Sequence, residues 1–326
     1  MRAPRFWFSA RPGPFARALS PLGEIYGAAT ARRMAESGAK AGAPVICVGN
    51  FVVGGAGKTP TAIALARLLR GAGHRPAFLS RGYGGEARAE PLRVAPATAS
   101  RRVGDEPLLL ARLAPCYVGR DRVASAHMAV EEGASVLIMD DGMQNPSLEK
   151  TLTLAVVDGE NPFGNGLCLP AGPLRAPVEA QLPFVDAMTV IGGAPGAAAQ
   201  LREFARGRPV FVARLQADAI AASALIGRPV LAFAGIARPE KFFATLAEIG
   251  AQVVETAAFP DHWRFRARDL ERLAARAARR GLKLVTTEKD LVRLPADFAE
   301  VALTLPVTLG FEDAAAVAAW LEPLGL

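Results

Sequence analysis

Val45-Ile-Cys-Val-Gly-Asn-Phe-Val-Val-Gly-Gly-Ala-Gly-Lys-Thr-Pro60 decides the fold of this chain. A short β-branched strand runs into three glycines, a lysine and a hydroxyl residue, and a helix is predicted from Thr61 to Arg70 with Pro60 near its first turn. Glycines at this point let backbone N–H groups turn inward on phosphates, and the helix aims its positive end at the same anion. Gly54, Gly55, Ala56 and Gly57 are therefore candidate phosphate-binding backbone. Lys58 supplies a point charge for the β and γ groups of a nucleoside triphosphate, and Thr59 offers an oxygen to Mg²⁺. The strict pattern places glycine where Val52 stands, so a glycine-rich strand–helix turn with no ligand is the competing reading of this segment alone.

Outward from this loop, strands and helices alternate. Strands are predicted over residues 75–80, 134–139, 152–157 and 185–191, and helices over 107–113 and 122–132. This is the pattern of an α/β fold: a P-loop NTPase-type parallel sheet flanked by helices. Residues 192–207 read as a last helix or a spacer. A second α/β pattern restarts near Arg228 without another phosphate loop. The expected division is a nucleotide-binding part, 1–216, and a smaller α/β C-terminal part, 217–326, with an N-terminal helical segment over about 1–37.

Val136-Leu-Ile-Met-Asp140-Asp141-Gly142 ends an apolar strand in two carboxylates. Beside a phosphate loop, such a pair suits Mg²⁺; alone, it also suits a turn or a helix cap. Gly104-Asp105-Glu106-Pro107 reads first as a helix start, and Asp105 becomes a candidate base only once a phosphate site is accepted. His262, in Phe259-Pro-Asp-His, sits in a turn that permits either a structural or a catalytic role.

Three cysteines without paired spacing imply neither a disulfide framework nor a zinc site. The net charge of +7 is uneven, because residues 1–40 hold seven cations (Arg2, Arg5, Arg11, Arg17, Arg32, Arg33, Lys40) against Glu24 and Glu36. Phe6, Trp7, Phe8 and Phe15 lie in the same stretch, followed by Leu19, Leu22, Ile25, Tyr26 and Ala29 near helical spacing. Arginine with interfacial aromatics suits an anionic membrane surface, while a helix packed on its own domain is the plainer alternative. No apolar run is long enough to span a bilayer. No zinc-finger spacing or RNA-recognition motif appears, so nucleic acid is not an expected partner, and no obligate protein partner is implied.

Taken together the motifs resemble the tetraacyldisaccharide 4′-kinase family, the lipid A 4′-kinases of Gram-negative bacteria. The likeness runs through Val53–Pro60, Ser80-Arg-Gly-Tyr-Gly-Gly85, Val103–Pro107, Gly119-Arg-Asp-Arg122, Asp140-Asp-Gly142, Leu169-Pro-Ala-Gly-Pro-Leu-Arg175, Ala234–Glu240, Phe259–His262 and Thr287-Glu-Lys-Asp290. The resemblance implies ATP- and Mg²⁺-dependent phosphorylation of the 4′-hydroxyl of tetraacyldisaccharide 1-phosphate, giving lipid IVA. It also implies a peripheral or monotopic place on the cytoplasmic face of the bacterial inner membrane. By the same resemblance Asp105 is the catalytic base partnered by His262, Glu106 and Arg120 are supporting cofactor-site residues, and Thr59, Asp140 and Asp141 serve the metal. Asn145, Ala176 and Trp263 stand where the family usually carries histidine, an acidic residue and histidine. Two other readings stay open: a soluble P-loop ATPase or small-molecule kinase whose basic N-terminus only packs internally, and, prompted by Asn145 and Ala176, a non-catalytic nucleotide or lipid sensor.

Overall fold

The computed structural model describes residues 4–86 and 90–324, so Arg2 of the basic N-terminus lies outside the described residues, as do the outer ends of the expected 1–37 and 217–326 segments. Thirteen strands are described: β1 (Val45–Gly49), β2 (Pro76–Ser80), β3 (Leu92–Arg93), β4 (Cys116–Val118), β5 (Val136–Asp140), β6 (Leu152–Asp158), β7 (Ala187–Ile191), β8 (Val210–Ala217), β9 (Pro229–Ala234), β10 (Gln252–Ala258), β11 (Lys283–Thr286), β12 (Leu303–Thr304) and β13 (Val307–Phe311). Nine form one sheet in the order β13-β8-β7-β6-β1-β5-β2-β4-β3, and four form a second, β10-β9-β11-β12.

The large sheet is parallel from β4 across to β8, with an antiparallel strand on each edge. Its central strands are buried on both faces, which is why they read as unbroken apolar runs rather than alternating ones. Alternate residues serve opposite cores. Val45 and Cys47 join Leu79, Leu137 and Met139 on one face, while Ile46 and Val48 join Phe78, Ile138 and Leu65 on the other. β1 lies between β5 and β6, and Val48 is paired with Asp140. The turn that follows β1 therefore starts beside the acidic end of β5, in the crevice at the carboxyl edge where open α/β sheets bind ligands.

The C-terminus departs from the expected linear division at residue 216. β9–β12 pair only with one another, but β13 returns to the large sheet and runs antiparallel to β8. The helix Ala314–Leu321 follows it, burying Val317 and Leu321 in the core that also holds Leu65 and Leu69. Without β13, β8 would present a row of unpaired backbone groups, so the return strand covers an edge. The pairing links residues about 90 positions apart, beyond the reach of local pattern.

The N-terminal helix Pro14–Met34 buries a stripe of small residues, Ala16, Gly23, Gly27 and Thr30, together with Met34. A Cβ on Gly27 would stand 2.8 Å from Cys168 Sγ and 3.0 Å from Pro177, so only glycine admits this close seat on the loop 168–177. Upstream, Trp7 Nε1 donates to the Pro170 carbonyl at 3.0 Å and Asn165 N–H donates to the Trp7 carbonyl at 2.7 Å. The large apolar side chains face outward instead: Phe15, Leu22 and Ile25 are 63%, 56% and 69% exposed. Docking on the chain's own loop and an outward apolar face thus coexist on one helix. Among the described residues, no helix is long and apolar enough to cross a membrane.

Candidate active site

Two clusters meet at the carboxyl edge of the large sheet. The first surrounds the glycine loop. Gly54 and Gly57 adopt left-handed φ values of 122° and 90°, and the helix Lys58–Gly71 starts directly after Gly57. Nothing stands within 4 Å of a Cβ placed on Gly54 or Gly55, so this arc faces open space, whereas Ala56 is buried beneath it. Lys58 Nζ donates to the Gly54 carbonyl at 3.1 Å and lies 3.8 Å from Asp141 Oδ1. The lysine thus folds back over its own loop, held by weak partners that a phosphate would outcompete.

Thr59 Oγ1 donates to Asp140 Oδ2 at 2.9 Å, while the other Asp140 oxygen is buried with no hydrogen-bond partner. Burial, followed by the Glu106 and Asp141 charges, pushes the Asp140 carboxyl up to about 7, against the partial relief given by Lys58 and Thr59. Asp141 differs. Burial raises it too, but Lys58 and Arg175 prevail and hold it below the usual carboxylate range. Arg175 grips it with two nitrogens, Nη2 to Oδ2 and Nη1 to Oδ1, each at 2.9 Å. Arg175 also donates to the Val52 carbonyl and to Gln144 Oε1, and Gln144 in turn donates to Asn50 O and Gln181 Oε1. A buried amide network therefore ties the loop to the acidic pair.

A hydroxyl and a carboxylate with a free, buried oxygen beside an open glycine arc fit Mg²⁺, which takes one or two protein oxygens and completes its shell from phosphates and water. Thr59 and Asp140 are the residues placed to hold it.

The second cluster joins the two sheets. Asp105, buried at the start of the helix Asp105–Ala111, meets His262 of the loop after β10, with Oδ2 to Nδ1 at 2.9 Å. Lys289 Nζ bridges Glu106 Oε1 at 3.2 Å and His262 Nε2 at 3.5 Å. Tyr83 presents its ring edge-on to the imidazole at 5.6 Å. Asp141 and His262 have φ of 58° and 55°, conformations that cost side-chain-bearing residues energy and gather at functional sites. Arg120 stands apart: it is exposed beyond β4 and makes no hydrogen bond or ion pair with the other site residues among the described residues.

The three departures have local explanations. Asn145 Oδ1 accepts the Ser147 N–H at 2.8 Å and so closes a turn. Ala176 is fully buried, with its carbonyl taken by Gln181 Nε2 at 2.6 Å. Trp263 donates from Nε1 to Asp269, which caps the helix Ala267–Arg279. The acidic pair and the Asp105–His262 contact are intact despite these changes. Sequence reading gave no role to Lys289 or Arg293. A cation following Thr287-Glu, and another three residues after Asp290 on one helical turn, were the available signals.

A parallel sheet, a glycine loop feeding a helix and an aspartate at the end of the adjoining strand define a P-loop nucleotide-binding protein of the phosphoryl-transfer class. Residues 15–324 match the family described as tetraacyldisaccharide-1-P 4′-kinase. A tetraacyldisaccharide 4′-kinase of Methylobacterium sp. (strain 4-46) is 56% identical over 326 residues, 99% of this chain and 98% of the relative. One from Bradyrhizobium sp. (strain BTAi1) is 51% identical, covering 97% and 93% of the two chains. The crystal structure of LpxK from Aquifex aeolicus in complex with ATP superposes with a TM-score of 0.75 at 26% identity, covering 95% of this chain and 99% of that one. The chain belongs to the tetraacyldisaccharide 4′-kinase family.

Proposed function

We propose that this chain transfers the γ-phosphoryl group of ATP to the 4′-hydroxyl of tetraacyldisaccharide 1-phosphate, giving lipid IVA and ADP. The observation that carries the reading is the 2.9 Å contact of Asp105 with His262, made between the P-loop unit and the second sheet's unit, with the adjoining Glu106 near enough for its charge to raise Asp140. Asp105 accepts the hydroxyl proton as the sugar oxygen attacks phosphorus, and His262 orients the carboxylate. Lys58 leaves the Gly54 carbonyl and Asp141 to neutralise the phosphates, and the amides of residues 54–59 face the same charge. Thr59 and Asp140, with Asp141 beside them, would hold Mg²⁺, which would supply positive charge to the triphosphate. Arg175 keeps Asp141 ionised and fixed. Because His262 and Lys289 come from the second unit, the site is complete only when the two units are docked, which also excludes water from the acceptor.

The acceptor's acyl chains stay at the cytoplasmic face of the inner membrane, which the N-terminal helix meets peripherally. Phe15, Leu22 and Ile25 face outward, among exposed Arg17, Arg32 and Arg33. Burying the exposed parts of these three side chains contributes about 1–2 kcal/mol each, and arginine adds attraction to anionic headgroups.

Replacing Asp105 with Ala and following label from γ-labelled ATP into the disaccharide lipid by thin-layer chromatography tests the chemistry. Transfer falls roughly 10²-fold or more if Asp105 is the base. Near-normal turnover removes it from the mechanism.

A further inference from the structure

Arg293 is the most enclosed cation near the Asp105–His262 pair, its side chain only 5% exposed. Every nitrogen of its guanidinium group has work. Nε lies 3.1 Å from Asp105 Oδ2, the same oxygen that meets His262, and donates to the Lys289 carbonyl at 3.1 Å. Nη1 donates to the carbonyls of Gly235 and Trp263, each at 3.2 Å, and Nη2 reaches Gly235 O and Asp290 Oδ1 at the same distance. The Gly235 carbonyl also accepts the backbone N–H of His262 at 3.0 Å, and Trp263 is the next residue along. One rigid fork therefore fixes both the carboxylate and the strained loop that carries its imidazole partner.

Asp290 explains why a full positive charge can sit against a group that must take up a proton. It is completely buried, accepts Gly235 N–H on both oxygens at 3.0 and 3.1 Å, takes the Thr287 hydroxyl at 2.7 Å and pairs with Arg293 at 3.2 Å. Arg293 faces Asp105 on one side and Asp290 on the other, so two carboxylates share its charge; burial pushes the Asp290 carboxyl up, against the pull of Arg293, the Thr287 hydroxyl and the Gly235 N–H.

We propose that Arg293, neutralised by Asp290, is a positioning residue that sets the geometry and proton affinity of the Asp105–His262 pair and supplies it only from the docked second unit. The inference rests on the kinase reading above and deepens it. Asp105 Oδ2 is occupied by His262 and Arg293, which leaves Oδ1 to face the acceptor hydroxyl.

The test compares Arg293→Gln, Arg293→Lys and Asp290→Asn in the full chain, measuring melting temperature, KM for ATP, and kcat for label transfer from pH 5 to 9. Arg293→Gln lowers kcat by roughly 10–100-fold with KM for ATP little changed, the scale of a misplaced reacting group. It also moves the acid limb of kcat to higher pH, because a cation beside the pair is gone. Arg293→Lys keeps the charge without the fork, so kcat recovers in part and the limb stays near the wild-type position. Asp290→Asn exposes the pair to an uncompensated guanidinium and moves the limb to lower pH. The other charged or titratable groups facing the pair are Glu106, Asp261 and Lys289, with Tyr83 against the imidazole. All are retained in each variant, so opposite shifts isolate Arg293 and Asp290. If Arg293→Gln melts early, Arg293→Lys and Asp290→Asn decide the matter by the direction of their limbs. A folded Arg293→Gln within twofold of wild-type kcat, or limbs that move together in Arg293→Gln and Asp290→Asn, overturns the inference. A wild-type chain that transfers no label overturns the kinase reading instead.

Discussion

Asp140→Asn separates the cost of the metal site from its use. The Asp140 carboxyl is buried, one of its oxygens has no partner, and its pKa is pushed up from 3.8 to about 7. A carboxyl with a raised folded-state pKa favours the fold while protonated. That contribution is complete below about 4 and is lost as pH rises to about 7, beyond which the loss is constant. The interval is about three pH units at ~1.4 kcal/mol each, so ionised Asp140 costs the metal-free protein on the order of 4 kcal/mol at pH 8. Asparagine keeps the shape and can still accept the Thr59 hydroxyl, but carries no charge. In Mg²⁺-free buffer the variant should therefore melt several degrees above wild type at pH 8, and the gap should shrink to about 1 kcal/mol by pH 4.5, as the same linkage requires. Mg²⁺ and ATP at 100 times the dissociation constant should narrow the pH 8 gap without closing it, since wild type gains about 2.7 kcal/mol by mass action and the variant gains less. Melting curves by dye fluorescence at pH 4.5, 6 and 8, with and without Mg²⁺-ATP, give all the comparisons. A metal-free variant no more stable than wild type at pH 8, or a gap that does not change with pH, would refute the reasoning.

Three further perturbations follow from the same geometry. Lys58→Ala removes the charge folded over the glycine arc and should lower transfer at least 10²-fold. It should also lower the melting temperature of the nucleotide-free protein at pH 8, because the acidic pair loses the cation that relieves it; label transfer and thermal melting read the two effects. Leu22→Glu with Ile25→Glu alters two exposed positions, so stability should stay within about 0.5 kcal/mol, while co-sedimentation with anionic vesicles should fall sharply; unchanged sedimentation would end the membrane role of this face. Gly27→Leu drives a side chain into Cys168 and Pro177 and should cost about 1–3 kcal/mol, measured by urea unfolding, whereas Gly13→Ala, with open space around it, should cost little.

What was legible in the sequence followed from local chemistry. Apolar runs ending in Gly49, Ser80 and Asp140 gave the central strands to within two residues, because strands buried on both faces need uninterrupted apolar residues. The glycine loop and its helix were equally visible, since phosphate-binding backbone requires those residue types in that order. Three kinds of feature were not legible. β4 and β3 are too short to carry a period. β13 is defined by a partner far away in the chain. The N-terminal helix was read by its large apolar residues, yet its own packing uses small ones, so the buried side is the glycine stripe. At the site, Asp105 read first as a helix start and His262 as a turn residue, and their pairing came only from the resemblance, whereas Arg293 gains meaning only where the loops after β9, β10 and β11 converge.

The loop 168–177 touches the seated helix through Cys168 and Pro177 and grips Asp141 through Arg175. Removing the first 34 residues to obtain a better-behaved protein would therefore strip the backing from the segment that steadies Asp141. Loss of activity in such a truncated form would not by itself report on bilayer attachment. The seat of the first helix and the hold on Asp141 are built from one ten-residue segment.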